Sequence, residues 1–419
     1  MGECMNAREL IGAFFFIVII ASGCDGKREE GIKLMYWGSY EEIEIMNKMV
    51  DAFEKAHSEI KVSPIHSANY MDKLQVMIGG GTPPDLFYLG DDNFVAYAEA
   101  GAIASVEEIK KTDTLFNASD YFELPFNAFK CEGELYGLPI SWTPLVLYYN
   151  KDIFDEAGVP YPDTTWDWDD FLSACKRCTN DTDGDGEVDQ FGYLLSTGWT
   201  FTFNWIWQNG GDVLSPDGKR CIIGSKEAVD ALQFLADLRW NYSVSPTPEQ
   251  IAQRDLFTTG KIAMIVSGRW VVPRYRTIKD FRWGISHLPK GKVRATPIFT
   301  TAYVMSNKSV RQRDVWELAK FLSGKEGSRF IAELGLGVPS VKSVAHSPHF
   351  LNRKKSPENS EVYLDALSYA RRGPRTIYWQ EIGNIMETHL DELWFGKKDA
   401  KEVAGAIAKE VNRLLSEEK

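Results

Sequence analysis

Short apolar runs alternate with amphipathic stretches along most of the chain, a pattern that predicts a mixed α/β protein. Ile32–Trp37 reads as a buried strand. Ser39-Tyr40-Glu41-Glu42 follows with the spacing of a capping box, and Ile43, Met46, Met49, Val50 and Phe53 recur at helical spacing over 40–57. Lys61–Ile65 supplies the next strand, so the chain opens with a βαβ unit and a parallel sheet. A helix over Met71–Ile78 breaks at Gly79-Gly80-Gly81-Thr82-Pro83-Pro84. A third strand, Asp85–Leu89, then runs into Asp91-Asp92-Asn93 and a helix reaching Ala100.

The pattern continues with strands at Leu138–Thr143 and Leu145–Asn150, a helix over Trp168–Cys178 and another over Glu227–Trp240. Between those helices Thr197–Gly211 alternates from Thr200 to Phe203, which predicts a strand or an irregular aromatic wall ending in a turn at Asn209-Gly210. Ile262–Val266 is a buried strand ending at Ser267-Gly268-Arg269-Trp270, and Trp283–Ile285 is a shorter one. After Pro297–Ser306 the sequence is mainly helical, with an irregular linker at 342–360 and a helix at 380–394 that Trp379 precedes. In open α/β sheets ligands sit beyond the carboxyl ends of strands. Trp37 and Trp270 both stand there, with a core role as the alternative for each.

The N-terminus sets the compartment. Ile11–Ile20 is a ten-residue apolar run, short for a membrane span but suited to a signal peptide, and Ala21-Ser22-Gly23-Cys24 resembles a lipobox. Residues 1–23 are therefore expected to be a lipoprotein signal peptide, with Met1 or Met5 as its start. Cys24 becomes the lipidated residue and 24–30 a tether. An uncleaved anchor helix is the alternative.

The net charge of −12 is dispersed, which argues against nucleic acid as a partner and disfavours an anionic ligand. Thirteen Trp, 17 Tyr and 23 Phe give 13% aromatic residues, a supply suited to stacking on the C–H faces of sugars. Cys131, Cys175, Cys178 and Cys221 remain in the body, and Cys175-Lys176-Arg177-Cys178 has redox or zinc spacing. It sits in a helix-like run with no second pair or histidine cluster, so structural or free thiols are expected. No motif calls for an organic cofactor.

Asn180–Gly192 is chemically more explicit. Asp181, Asp183 and Asp185 alternate, Gly186 gives the sharp turn, Glu187 offers its carbonyl, and Asp189 takes the ninth position of a calcium loop. Position twelve is Gly192 in place of the bidentate glutamate. A structural Ca²⁺ that staples the loop is the expectation, and a solvated acidic turn the alternative.

Five phrases, in order, resemble the sugar-binding receptors of bacterial ABC importers, the maltose-binding-like family. They are the Gly-Thr-Pro-Pro-Asp strand start at 81–85, Gly137-Leu138-Pro139 followed by Tyr149-Asn150-Lys151-Asp152, and Gly260 through Ala263-Met264 to Gly268 and Trp270. The return crossing over Pro297–Ser306 and the turn over Leu334–Ser340 complete them. Thr300-Thr301 stands where many relatives carry two glycines, a departure that questions a backbone contact to ligand there. The resemblance implies an α/β, two-lobed periplasmic-binding-protein fold (type II). Residues 31–142 plus 298–328 would form the N-terminal lobe and 143–297 plus 329–419 the C-terminal lobe. By the same resemblance ligand would meet Trp37, Tyr40, Asp91 or Asp92 (helix caps being the alternative), Trp142, Thr143, Trp199, Asn209, Arg269, Trp270 and Trp379.

The function implied is that of a substrate-binding lipoprotein, monomeric and tethered outside the cytoplasm. It would pass a sugar or oligosaccharide to the transmembrane subunits of an ABC permease and would not be an enzyme. A secreted glycosidase is the competing reading, since aromatic clefts with carboxylates also describe those enzymes, but no motif singles out a flanking carboxylate pair. A calcium-stapled surface adhesin is a third reading, disfavoured by the mixed α/β pattern.

Overall fold

The computed structural model describes residues 31–251 and 256–416. The expected signal peptide, the tether and Cys24 lie outside the described residues. The first strands are β1 (Ile32–Tyr36), β2 (Val62–His66) and β3 (Leu86–Gly90). A small hairpin, β4 (Lys130–Cys131) with β5 (Glu134–Leu135), precedes β6 (Gly137–Pro144). Then come β7 (Val146–Asn150), β8 (Phe191–Leu194), β9 (Ile262–Ser267), β10 (Trp283–Ser286), β11 (Thr296–Met305), β12 (Val338–Pro339) and β13 (Ala370–Arg371).

Two principal sheets form. The first runs β12-β6-β11-β3-β1-β2, with β13 added beside β11; the second runs β10-β7-β9-β8. β1, β2 and β3 are parallel, as the opening βαβ pattern requires, while β11 lies antiparallel to both β3 and β6. The helix Tyr40–Ala56 starts at the predicted capping box, with Ser39 and Glu42 exchanging hydrogen bonds with one another's backbone N–H. Its stripe of Met46, Met49, Val50 and Phe53 is buried.

The chain leaves the first sheet for the second at Leu145, the one residue between β6 and β7, and returns between β10 and β11. The expected boundaries were 142/143 and 297/298; β6 ends at Pro144 and β11 starts at Thr296. The third boundary differs. The second lobe was expected to resume at 329, but β12 pairs with β6, Val338 opposite Trp142, and Ile331, Ala332, Val338 and Val341 pack into the core that contains the first sheet. The helices Trp379–Trp394 and Ala400–Ser416 do belong to the second lobe, where Met386, Leu390, Ile407 and Val411 pack with Leu232 and Leu235 of the helix Lys226–Trp240.

Thr197–Gly211 is not a strand. Trp199–Thr202 forms a 3₁₀ turn that continues into an α-helix, Phe203–Gln208. Every residue of that short helix is buried, so its apolar run carries no amphipathic period, the condition under which periodicity alone cannot separate strand from helix. Among the described residues no helix is long and apolar enough to cross a membrane.

Candidate functional site

A cleft opens where the two sheets meet, and its floor is the β6–β11 ladder. Side chains alternate across a strand, so Ser141 and Thr143 share one face and Trp142 takes the other. In the ladder Thr301 stands opposite Ser141 and Phe299 opposite Thr143. These four residues line a chamber of about 160 Å³, bounded also by Trp37 and Trp270. A wider chamber of about 540 Å³ adjoins it and is lined by Trp37, Asn69, Tyr70, Asp91, Asp92 and Phe299. Asp91, Asp92 and Phe299 then border a third recess, closed by Arg372 and Trp379. The first two spaces share Trp37, Phe299 and Thr301 and form a trench, and the third, of only about 20 Å³, is a crevice at its end.

Trp37 and Trp270 come from different lobes. Trp37 follows β1 and is held edge-on by Tyr70 and Tyr88, with ring centroids at 4.9 and 5.1 Å. Trp270 follows β9 and is 40% exposed. Its ring folds back over Gly268, where a Cβ would stand 2.2 Å from Cζ3. Gly268 has an extended backbone open to any residue (φ −88°), so close approach is what requires glycine there. Phe299 meets Trp270 edge-on at 5.7 Å.

The two aspartates are bonded into the floor. Asp91 donates its backbone N–H to the Thr300 carbonyl at 2.9 Å, and its carboxylate accepts from Thr300 N–H at 2.9 Å. Burial and the neighbouring Asp92 push its pKa up to about 7, against the opposing pull of Thr300 N–H and Arg372. Asp92 accepts from Asn93 N–H at 2.8 Å and from the Trp379 side chain, and burial raises its pKa too. Thr300-Thr301, read as a departure from the family pattern, thus has one backbone engaged by Asp91 and one side chain in the cleft.

The trench gathers Trp37, Asp91, Asp92, Thr143, Trp270 and Trp379. Five other expected residues lie elsewhere. Trp142 is 1% exposed and packs edge-on against Phe122, because strand alternation turns it away from the cleft. Trp199 is buried behind Trp379, ring centroids 4.4 Å apart, and so backs the platform without lining it. Asn209 ends its helix and donates to the Glu227 carbonyl at 2.7 Å, which fixes a loop.

Arg269 turns inward where Trp270 turns outward. It is fully buried, its guanidinium 4.4 Å from the Phe350 ring centre and 5.1 Å from that of Tyr363, and it donates to Ser360 Oγ at 3.4 Å. Burial lowers its pKa. Tyr40, 71% exposed, starts the helix Tyr40–Ala56 outside the lining. Sequence reading missed Ser141, Phe299, Thr301, Tyr70, Asn69 and Arg372. Alternation along β6 was an available signal for Ser141; the others depend on pairings and packing remote in sequence.

The acidic loop lies apart from the cleft, between the helix Trp168–Cys178 and β8. One carboxylate oxygen from each of Asp181, Asp183 and Asp185 lies within 4.8 Å of the others. Asp181 also accepts from the N–H groups of Gly184 and Gly186 at 2.7 and 2.8 Å, which curls the loop. Asp189 does not join them. It pairs with Lys261 and accepts from Thr182 N–H, and these bonds, Lys261 first, hold its pKa down at about 2. The Glu187 carboxylate is likewise outside the convergent set. Cys131, Cys175, Cys178 and Cys221 are all free, and burial raises the thiol pKa of the last three.

Residues 37–328 match the family model described as bacterial extracellular solute-binding protein. A galactooligosaccharide-binding protein of Bacillus subtilis is 25% identical over 397 residues, covering 90% of this chain and 88% of that protein. Among solved structures, an ABC substrate-binding protein from Listeria monocytogenes in complex with cycloalternan is 26% identical. It superimposes with a TM-score of 0.86 over 92% of this chain and 99% of its own. A cyclic α-maltosyl-1,6-maltose binding protein from Arthrobacter globiformis shares the fold, with a TM-score of 0.76 at 23% identity, covering 93% of this chain and 99% of its own.

Proposed function

Because this chain belongs to the bacterial extracellular solute-binding protein family, we propose that it captures a sugar or oligosaccharide in the interlobe cleft and delivers it to the transmembrane subunits of an ABC importer. One observation carries the reading: Trp37 and Trp270, one from each lobe, border a chamber whose floor presents the hydroxyls of Ser141, Thr143 and Thr301. Aromatic faces suit the C–H faces of a pyranose. The hydroxyls and Asp91 and Asp92 supply the directional bonds that buried sugar hydroxyls need. The sugar-binding names of the relatives point the same way. Lobe closure on the ligand would be the signal to the permease, a hinge transition about Leu145 and the return crossing.

Nothing in the cleft favours the glycosidase. That chemistry needs carboxyls flanking one bond, whereas Asp91 and Asp92 are consecutive at one wall and held by backbone N–H groups, and Glu42, which borders the narrower chamber, accepts from Ser39 N–H in its helix cap. The test is calorimetric titration and thermal shift against mono- and oligosaccharides, with product analysis of every ligand. Binding with the sugar recovered intact is expected. Conversion to smaller sugars would replace the receptor with an enzyme.

Two finer readings complete the proposal. The chain is exported on residues 1–23 and tethered as a monomer through a lipid on Cys24, as its lipobox-like sequence implies. Asp181, Asp183 and Asp185, with the Glu187 carbonyl, bind a structural Ca²⁺; the convergence of three carboxylates supports this, and the ion would staple the loop without touching the cleft.

A further inference from the structure

We propose that Tyr148 and Tyr363 are positioning residues for the ligand: their hydroxyls form a buried relay, capped by the Arg269 cation, that sets where Trp270 stands in the cleft. The inference rests on the carbohydrate reading above, which makes Trp270 a stacking platform. It gives a role in binding to residues that no sugar touches.

The Trp270 ring lies on the Gly268 peptide, so closely that a Cβ at Gly268 would stand 2.2 Å from Cζ3. Whatever holds that peptide therefore holds the seat of the ring. Tyr148 of β7 donates its hydroxyl hydrogen to the Gly268 carbonyl at 2.9 Å, while the Val271 N–H reaches the same oxygen at a long 3.5 Å. The hydroxyl oxygens of Tyr148 and Tyr363 are 2.7 Å apart, and both side chains are fully buried. A carbonyl only accepts, and a phenol has one hydrogen to give. Tyr148 gives its hydrogen to Gly268, so Tyr363, on the helix Glu361–Ala366, must donate to Tyr148. The direction of the relay is fixed by elimination.

Behind Tyr363 lies Arg269. Its guanidinium is 5.1 Å from the Tyr363 ring centre and 4.4 Å from that of Phe350, and it donates to Ser360 Oγ. Its Nε and Nη2 have no hydrogen-bond partner, and among the described residues no carboxylate pairs with it. Arg276, the other cation of this region, is engaged with the carbonyls of Ser356, Glu333 and Leu334. A buried charge without an anion is costly. Here it has an electrostatic use. Positive charge beside the Tyr363 hydroxyl polarises the hydrogen that Tyr363 donates, and polarisation passes along a chain of hydrogen bonds in a low-dielectric interior. The chain ends on the carbonyl of the residue before Arg269. Arg269, Tyr363, Tyr148 and Gly268 thus close a loop around one turn, and the next side chain out of that loop is Trp270.

The test uses the full chain titrated calorimetrically with cycloalternan, maltotriose and galactooligosaccharides, taking whichever binds the wild type. Tyr148→Phe should raise the dissociation constant about tenfold, the order of one buried hydrogen bond, and Tyr363→Phe about threefold. In a Trp270→Ala background each should change it by less than about twofold, because a relay acting only through that ring has nothing left to place. Arg269→Met should weaken binding by about threefold or more while the melting temperature holds or rises, as when a buried charge gives way to an apolar side chain. A readout without sugar uses ¹⁹F NMR of protein labelled with 5-fluorotryptophan, the Trp270 resonance being the one lost in Trp270→Phe; it should shift or broaden in Tyr148→Phe. Unchanged affinity in Tyr148→Phe, equal losses in the two backgrounds, or an unmoved Trp270 resonance overturns the relay. So does an Arg269→Met that melts earlier with affinity intact. A Trp270→Ala that binds like wild type overturns the platform and the relay's role with it, and failure of every probe to bind overturns the carbohydrate reading itself.

Discussion

Removing the Trp270 side chain should abolish most of the affinity while leaving the fold intact. The residue is 40% exposed; on a tryptophan of about 250 Å² that leaves roughly 100 Å² for a ligand to cover. A sugar ring masks one face, about half of it, worth about 1.2 kcal/mol at roughly 25 cal/mol/Å². Stacking adds up to about 1 kcal/mol beyond area. The total of about 2 kcal/mol corresponds to a dissociation constant raised about thirtyfold in Trp270→Ala.

Calorimetric titration with the tightest sugar found in the screen reads that ratio directly, and differential scanning calorimetry reads the fold. The melting temperature should move by no more than a few degrees, since the ring's aromatic contacts are the edges of Phe201 and Phe299 at 6.4 and 5.7 Å. Gly268→Ala is the companion variant. Its Cβ would stand 2.2 Å from the Trp270 ring, so it displaces the platform while keeping every ring atom. A similar loss of affinity in both variants ties binding to the placement of the ring. A dissociation constant within threefold of wild type in Trp270→Ala would refute the stacking argument. A large fall in melting temperature with unchanged affinity would make Trp270 a core residue.

Trp142→Phe should leave affinity within about twofold, and because the Trp142 indole N–H has no partner the smaller ring forfeits no hydrogen bond; Trp142→Ala should cost about 3–5 kcal/mol of stability by chemical denaturation. Chelation should lower the melting temperature and Ca²⁺ restore it, with Asp183→Asn insensitive to both; no shift with chelator removes the ion. Stability should also carry an Asp91 signature. Its native pKa of about 7 lies above the ordinary 3.8, so the native state binds a proton that the unfolded chain releases. That contribution is fully present below about pH 4 and is lost as pH rises through about 7. Asp91→Asn should flatten the decline in melting temperature across that window, and an unchanged profile would show that the carboxyl is not held in its protonated form.

What the sequence disclosed was local or repeated; what it hid was set by distant segments. The helix after β1 was legible because Ser39 and Glu42 sit three residues apart at its start, and the crossing near Leu145 because Gly137-Leu138-Pro139 followed by Tyr149-Asn150-Lys151-Asp152 resembles the family's crossing. Trp142 was misjudged although the information lay in the strand: with Thr143 in the cleft, alternation sends its neighbour to the other face. Arg269 is a different case. Its burial depends on Phe350, Ser360 and Tyr363, more than eighty residues on, the first two within a stretch that read as an irregular linker and the third just past it. Trp199 likewise owes its place to Trp379. No spacing within Thr197–Gly211 could say which of its tryptophans would be covered by a helix from the end of the chain.

The division of the aromatic platforms between lobes bears on how binding would become a transport signal. A ligand shifts a conformational equilibrium only as far as it prefers one state. Trp37 and the hydroxyls of Ser141, Thr143 and Thr301 belong to the first lobe, and their mutual geometry is fixed by one sheet. They can hold a sugar equally well whether the lobes are open or closed, so they contribute affinity without driving closure. Trp270 stands on the second sheet, beyond the crossing at Leu145. Its ring meets a sugar seated on the first lobe only when the lobes approach. The roughly 2 kcal/mol assigned above to that ring is therefore the part of the binding energy available to close the cleft, a bias of about thirtyfold toward the closed state. Both lobes would contribute affinity, and the second would supply the signal.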